Sequence, residues 1–124
     1  MNQNLPTDGQ KGKQYLMDYF TQTDTLFTDF LESKIQETYE IGQVPQELVQ
    51  SFMQTARKGK KIRGALTVLG YELAGGQDKT SILDTSLFIE LFHAGVLVHD
   101  DFMDNDGIRR GLPSIHMQFA QKAT

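Results

Sequence analysis

SILDTSLFIELFHAGVLVHDDFMDNDGIRRG, residues 81–111, is the stretch around which the chain can be read. It opens as an almost continuous apolar run, passes through Asp100, Asp101, Asp104 and Asp106, and ends in Arg109 and Arg110. As a helix it contains no Pro and is broken only by Gly95. Ser81 and Asp84 have the spacing of a capping residue followed by a first-turn acid. Apolar residues lie nearly all round it between Leu87 and Val98, the pattern of a helix buried at the centre of a bundle. At about 100° per residue, His93 and Asp100 fall within about 20° of each other, with Asp104 about 40° further round. One stripe of a buried helix therefore ends in stacked carboxylates, with an imidazole two turns deeper. Like charges so close together need a cation or a cationic partner.

The flanking chain reads as further helices. Residues 1 to about 10 are polar, with Pro6 and Gly9, and are expected to form a loose arm. From about Lys13, apolar residues recur at Tyr15/Leu16, Tyr19/Phe20, Leu26/Phe27, Phe30/Leu31, Ile35 and Tyr39, predicting one long amphipathic helix ending near Gly42. Pro45 marks the first turn of a second helix whose apolar face is Leu48, Val49, Phe52 and Met53. Gly59 interrupts it, and KKIRGALTVLGYELA, residues 60–74, resumes the helical pattern up to Gly75-Gly76. Gly64 and Gly70 weaken that helix by about 1 kcal/mol each relative to Ala, so packing must support it. Asn105-Asp106-Gly107 and Gly111-Leu112-Pro113 are loop signals, after which Ser114 can cap a last helix. No stretch has strand periodicity, so the fold class is all-α.

Bulk properties narrow the function. The chain has 124 residues, no Cys, no Trp and a formal charge of -4 from 12 basic and 16 acidic residues. That allows one compact domain at most. Without Cys there are no disulfides, thiolate metal sites or Cys nucleophiles, which fits a reducing, cytoplasmic setting. The N-terminus lacks the apolar segment of a secretory signal. The central apolar run, interrupted by Glu90 and His93, is expected to fall short of a membrane span. A mildly acidic chain without a basic stripe is a poor nucleic-acid binder. The positive charge does cluster, however, at Arg57–Arg63 and at Arg109-Arg110, which favours small anions as partners.

Three groups could carry chemistry. Asp100-Asp101-x-x-Asp104 places hard oxygen ligands one helical turn apart, a set Mg²⁺ accepts while water and phosphate complete its octahedron. A merely solvated acidic end is less favourable, since acids at a helix C-terminus oppose its dipole by some tenths of a kcal/mol each. In Gly59-Lys60-Lys61-Ile62-Arg63, a helical conformation would put Lys60 and Arg63 on one face. A Lys point charge beside an Arg fork suits a diphosphate. There is no Walker loop. Arg109 and Arg110 follow the aspartates closely enough to hold the same polyanion as a metal there. A rival lies in Glu90-x-x-His93, the half-site of a di-iron carboxylate bundle, but the chain has no second such pair.

Together these motifs resemble the trans-isoprenyl diphosphate (polyprenyl) synthase family. HDDFMDNDGIRRGLPSIH is similar to that family's first aspartate-rich motif with its trailing Arg-Arg-Gly-x-Pro, and GKKIR to its upstream Gly-Lys-x-x-Arg. His93 stands at the family's His seven residues before the first Asp, and the likeness runs from about Gly59 to His116. The resemblance implies an all-α antiparallel bundle around a deep cavity, usually homodimeric, that condenses isopentenyl diphosphate with an allylic diphosphate using Mg²⁺. By it, Asp100 and Asp104 would bind Mg²⁺ with Asp101 in support, Arg109 would hold the allylic diphosphate, and Lys60, Arg63, His93 and Arg110 would hold isopentenyl diphosphate. Phe92, Gly95 and Val96 would set product length. Gly95 and Val96 leave room and Phe92 forms a deeper floor, so the expected product is longer than farnesyl, near geranylgeranyl diphosphate. Replacing Phe92 with Ala should then lengthen the product, and an unchanged product distribution would refute that role.

The sequence departs from the family pattern twice. Gly64 stands where the family usually has Pro, and the second aspartate-rich motif is missing. Family members are well over twice this length, so the chain is expected to be an N-terminal portion of one synthase domain, with apolar faces of its central helices uncovered and little turnover by itself. A non-catalytic subunit of a heteromeric synthase is the other reading within the family. It gives no reason to keep Lys60, Arg63, Arg109 and Arg110 together.

Overall fold

Thr7 starts the first helix. In the computed structural model, which describes residues 7–123, its hydroxyl accepts from the Gln10 N–H at 3.3 Å while the Gln10 side chain accepts the Thr7 N–H at 2.8 Å. This reciprocal capping satisfies two of the free donors at a helix start. Helix α1 therefore runs Asp8–Tyr39, beginning five residues before the expected Lys13. The expected arm is corrected for residues 8–10, which are helical; its first six residues lie outside the described ones. Gly42, at φ 145°, turns the chain into α2, Gln43–Arg57, with Pro45 in its first turn as anticipated.

Helix α2 buries the face its large apolar residues suggest only in part. Ser51, Thr55 and Ala56 are buried, Phe52 and Met53 pack beside them, and Leu48 is 47% exposed. Small side chains let α2 lie close along α1, where Phe27 and Leu31 fill the space. Helix α3 spans Ile62–Leu73 and α4 spans Lys79–Asp104. Asp78, not Ser81, caps α4: its carboxylate accepts the Ser81 N–H at 3.1 Å and the Ser81 hydroxyl at 2.7 Å. Those hydrogen bonds hold the Asp78 carboxyl below its ordinary pKa.

Helix α4 joins two core clusters. Its Leu87 and Ala94 pack with Phe27, Leu31 and Ala56, and its Ile82 packs with Tyr19, Ala65 and Val68. The opposite face is bare. Phe88 and Phe92 are each 64% exposed and stack on one another with centroids 6.2 Å apart, and Val96 is 40% exposed. The helix is thus covered on one side only, not all round. It is also, by length and composition alone, apolar enough to cross a membrane, contrary to the expectation that it falls short of a span. The same composition serves a bundle's core helix, and two of its acids, Glu90 and Asp101, are buried with partners on neighbouring segments.

Past Asp104, Asn105 adopts the left-handed conformation (φ 57°) that ends a helix cleanly. The loop beyond contains a small hairpin that strand periodicity did not predict. Strands β1, Ile108–Arg109, and β2, Leu112–Pro113, pair antiparallel across Arg110 (φ 52°) and Gly111 (φ 77°). Positive φ at both central residues is what a tight two-residue hairpin requires. Ser114 precedes α5, Ile115–Lys122, as expected, but its hydroxyl donates to the Asp106 carbonyl at 2.7 Å and does not cap α5. The fold is all-α, and among the described residues that ribbon is the only strand structure.

Candidate functional site

The link between α2 and α3 carries the cations. Lys61, immediately before α3, has a left-handed backbone (φ 54°, ψ 30°) and no oxygen with which to cap the helix. Glu90 on α4 takes over that task from across the interface. Its Oε1 accepts the Gly64 N–H at 2.6 Å, and the residue is 6% exposed. A carboxylate there also suits the positive end of the α3 dipole. Gly64 is needed for this packing: a Cβ on it would overlap the Tyr19 hydroxyl and stand 3.0 Å from Glu90 Cγ. Tyr19 in turn donates to Ser86 Oγ at 2.9 Å, and burial raises its pKa above the usual phenol value.

These elements enclose a cavity of about 370 Å³ lined by Lys58, Gly59, Lys60, Lys61, Ile62, Arg63, Glu90, His93, Leu97, Arg109 and Arg110. Six of the eleven are cationic side chains and one is acidic, so its wall is strongly positive. Lys60, Arg63, His93, Arg109 and Arg110, the five residues singled out for diphosphate binding, all line it. Lys60 reaches it from outside α3, because the left-handed residue at 61 turns the chain there. The expected shared helical face of Lys60 and Arg63 is corrected accordingly.

Two of these groups are fixed by partners. Arg63 Nη1 lies 3.1 Å from His93 Nε2. A guanidinium can only donate, so Nε2 accepts and the ring proton is assigned to Nδ1. Burial first, then the Arg63 charge, hold the His93 pKa below its ordinary value, which keeps the imidazole neutral at pH 7. Arg110 Nη1 donates to the Thr55 carbonyl at 2.8 Å and lies against Gly59, where a Cβ would come within 2.7–2.9 Å of its guanidinium. Burial lowers the Arg110 pKa somewhat.

The aspartates separate into two kinds. Asp101 is 2% exposed and is gripped by Arg109, whose Nε donates to both carboxylate oxygens at 3.0 and 3.1 Å while Nη2 donates to Oδ1. This bond raises the Arg109 pKa further. Asp100 and Asp104 are exposed, one helical turn apart. Among the described residues no three His, Cys, Asp or Glu side chains converge as a metal cage. Two free carboxylates nevertheless fit Mg²⁺, which takes one or two from protein and the rest from water and phosphate. The di-iron half-site is otherwise engaged, with Glu90 bound to a backbone amide and His93 to Arg63. Of the product-length residues, Phe92 and Val96 lie on the bare face of α4, and Gly95 has open space where a Cβ would be.

Sequence reasoning missed Lys61 and the true role of Glu90. Lys61 was one of several cations in a run. A Glu inside an apolar helical run was the available sign that a buried donor awaited it.

Cationic side chains that converge on one cavity have the chemistry to hold a polyanion. The family model described as polyprenyl synthetase matches residues 45–124, and the chain belongs to that family. It is similar to a geranylgeranyl diphosphate synthase of Sulfolobus acidocaldarius, 35% identical over 105 residues that cover 85% of this chain and 30% of that protein. It is also 44% identical over 63 residues to a short chain isoprenyl diphosphate synthase of Methanothermobacter thermautotrophicus, covering 51% of this chain and 19% of the relative. A third relative, 38% identical over 65 residues (51% of this chain, 17% of the relative), is named as the large subunit of a heterodimeric geranylgeranyl pyrophosphate synthase in Arabidopsis thaliana chloroplasts. The chain thus spans less than a third of the length of these relatives. No solved structure matches it.

Proposed function

We propose that the chain is the diphosphate-gripping portion of a Mg²⁺-dependent prenyltransferase that joins isopentenyl diphosphate to an allylic diphosphate, with a geranylgeranyl-length product. The observation that carries this reading is the cationic cavity beside the exposed pair Asp100 and Asp104. The names of the relatives support the substrate class.

In this reading Lys60, Arg63 and Arg110 bind diphosphate oxygens and neutralise their charge. Neutral His93 donates through Nδ1–H or orients Arg63. Asp100 and Asp104 would hold Mg²⁺, which when bound supplies Lewis-acid stabilisation of a departing diphosphate. Arg109 assists from its place on Asp101. The Phe88, Phe92 and Val96 ridge offers an apolar surface for the hydrocarbon tail and excludes water from it. The reading includes a homodimer, since that ridge needs cover from a second copy or from further chain of the same synthase. It also includes the cytoplasm, on the absence of Cys.

Calorimetry with inorganic pyrophosphate tests the reading. Binding to the chain should require Mg²⁺ and weaken at least about tenfold in Asp100→Asn/Asp104→Asn, the scale of losing charge-assisted contacts. Pyrophosphate binding indifferent to both Mg²⁺ and those substitutions would refute it. The chain alone should bind without sustained turnover, and steady condensation by it would contradict that part.

A further inference from the structure

Lys61 is 2% exposed although it sits in a run of solvated cations. Its ammonium lies 4.6 Å from the Phe20 ring centroid and 4.8 Å from that of Phe27, and donates to the Arg57 carbonyl at 3.2 Å. It therefore ties three segments together: α1 through two rings, the end of α2 through a carbonyl, and the start of α3 through its own backbone. The backbone at this position is left-handed, a conformation unfavourable for a non-glycine residue. A strained residue persists where its surroundings over-determine it. Here the surroundings are the two rings and the carbonyl.

The consequence falls on the residues either side. Lys60 lies before α3 and Arg63 in its first turn, yet both line the same cavity. The left-handed turn at residue 61 sets how the two are placed relative to each other. Around the ammonium, Asp24 and Glu90 attract it and Arg57 and Arg110 repel it, while burial lowers its pKa. We propose that Lys61 is the positioning residue of the cationic cavity: its caged ammonium locks the turn that aims Lys60 and Arg63 at one diphosphate. The proposal rests on the reading that the cavity takes a diphosphate.

The test compares Lys61→Met, Lys61→Gly and Lys61→Arg, with Phe20→Leu and Arg63→Gln as companions. Met keeps the apolar stem and the same backbone strain but removes the buried charge, so its melting temperature should not fall. Its affinity for inorganic pyrophosphate with Mg²⁺ should drop about tenfold, the scale of one charge-assisted contact. Gly adopts the turn without strain, so a purely conformational role would leave Lys61→Gly binding like the parent. A cage role makes it bind as weakly as Lys61→Met. Arg, a cation that can also sit against aromatic rings, should restore most of the affinity. Phe20→Leu, which opens one side of the cage and leaves the charge, should lose affinity several-fold.

Trypsin gives a readout independent of ligand. Cleavage after Lys58 and Lys60 should be faster in Lys61→Met and Phe20→Leu than in the parent. Parent-like affinity in Lys61→Met or Lys61→Gly, alongside weakened binding in Arg63→Gln, overturns the proposal while leaving the diphosphate reading intact. Unchanged cleavage rates in Lys61→Met also overturn it. If parent and Arg63→Gln alike fail to bind pyrophosphate, the diphosphate reading fails and the proposal falls with it.

Discussion

Arg109→Ala should cost the chain about 2–4 kcal/mol, read as a lower midpoint in urea unfolding with an unchanged slope. The cause is the carboxylate left behind. Asp101 is 2% exposed, and both of its oxygens depend on the Arg109 fork. Without that partner a buried charge stays uncompensated, which ordinarily costs about 3–5 kcal/mol. The Arg109 side chain is 30% exposed, so water can follow it in and soften the penalty. The same asymmetry predicts an order. Asp101→Asn should cost less, because the released guanidinium can turn to solvent while the smaller loss is shared with a neutral amide. Arg109→Lys should fall between the two, since a point charge cannot reproduce the two-pronged grip. An Arg109→Ala variant as stable as the parent would mean that the pair is not formed in solution.

Gly64→Ala is the second large effect. Alanine normally strengthens a helix by about 1 kcal/mol over glycine, so propensity alone predicts a gain. The packing predicts a loss. A methyl here would overlap the Tyr19 hydroxyl and crowd Tyr19 Cζ at 2.9 Å and Glu90 Cγ at 3.0 Å. Tyr19 is 4% exposed and tied to Ser86, so it has little room to retreat. Overpacking of this kind costs about 1–3 kcal/mol, occasionally more, and here it also threatens the Glu90 bond to the Gly64 N–H. A net loss of about 2–3 kcal/mol is expected in thermal or urea unfolding. Tyr19→Phe removes the nearest atom, so Gly64→Ala should cost clearly less in that background, a coupling that a double-mutant cycle measures. Equal costs in both backgrounds would show that the hydroxyl is not the obstacle. The departure from the family's usual Pro at this position thus has a local reason: the N–H that Pro lacks is used, and the space that its ring needs is filled.

How much of this could be read beforehand varies by residue. The all-α class, the break at Gly59 and the long helix ending in aspartates followed from periodicity and glycine placement, because those patterns are local. The Thr7–Gln10 capping box was also legible, as Thr-x-x-Gln, but Pro6 and Gly9 drew attention to a loop instead. The α2 face was legible only in part, in Phe52 and Met53. Periodicity marks large apolar residues, whereas close approach to α1 selected Ser51, Thr55 and Ala56. Lys60, Arg63, His93, Arg109 and Arg110 were singled out from the sequence and all line the cavity, but the means that gathers them was not legible. A left-handed lysine runs against backbone preference, and its cage comes from Phe20 and Phe27, over thirty residues upstream. The resemblance set Asp101 apart from Asp100 and Asp104, but not its burial against Arg109. Which of them turns inward depends on where the Arg109 ribbon folds back, and two-residue strands leave no periodic trace.

That ribbon sorts two adjacent, chemically identical side chains. Arg109 ends β1 while Arg110 is the first, left-handed residue of the bend, so the two side chains leave the chain in different directions. Arg109 goes to Asp101 and Arg110 to the Thr55 carbonyl. Both line the cavity, but one guanidinium fastens the end of α4 while its neighbour is anchored to the end of α2. A diarginine that looks redundant on paper is two unlike parts, and a slip of one residue in the ribbon would exchange their destinations without altering a single letter of the pair.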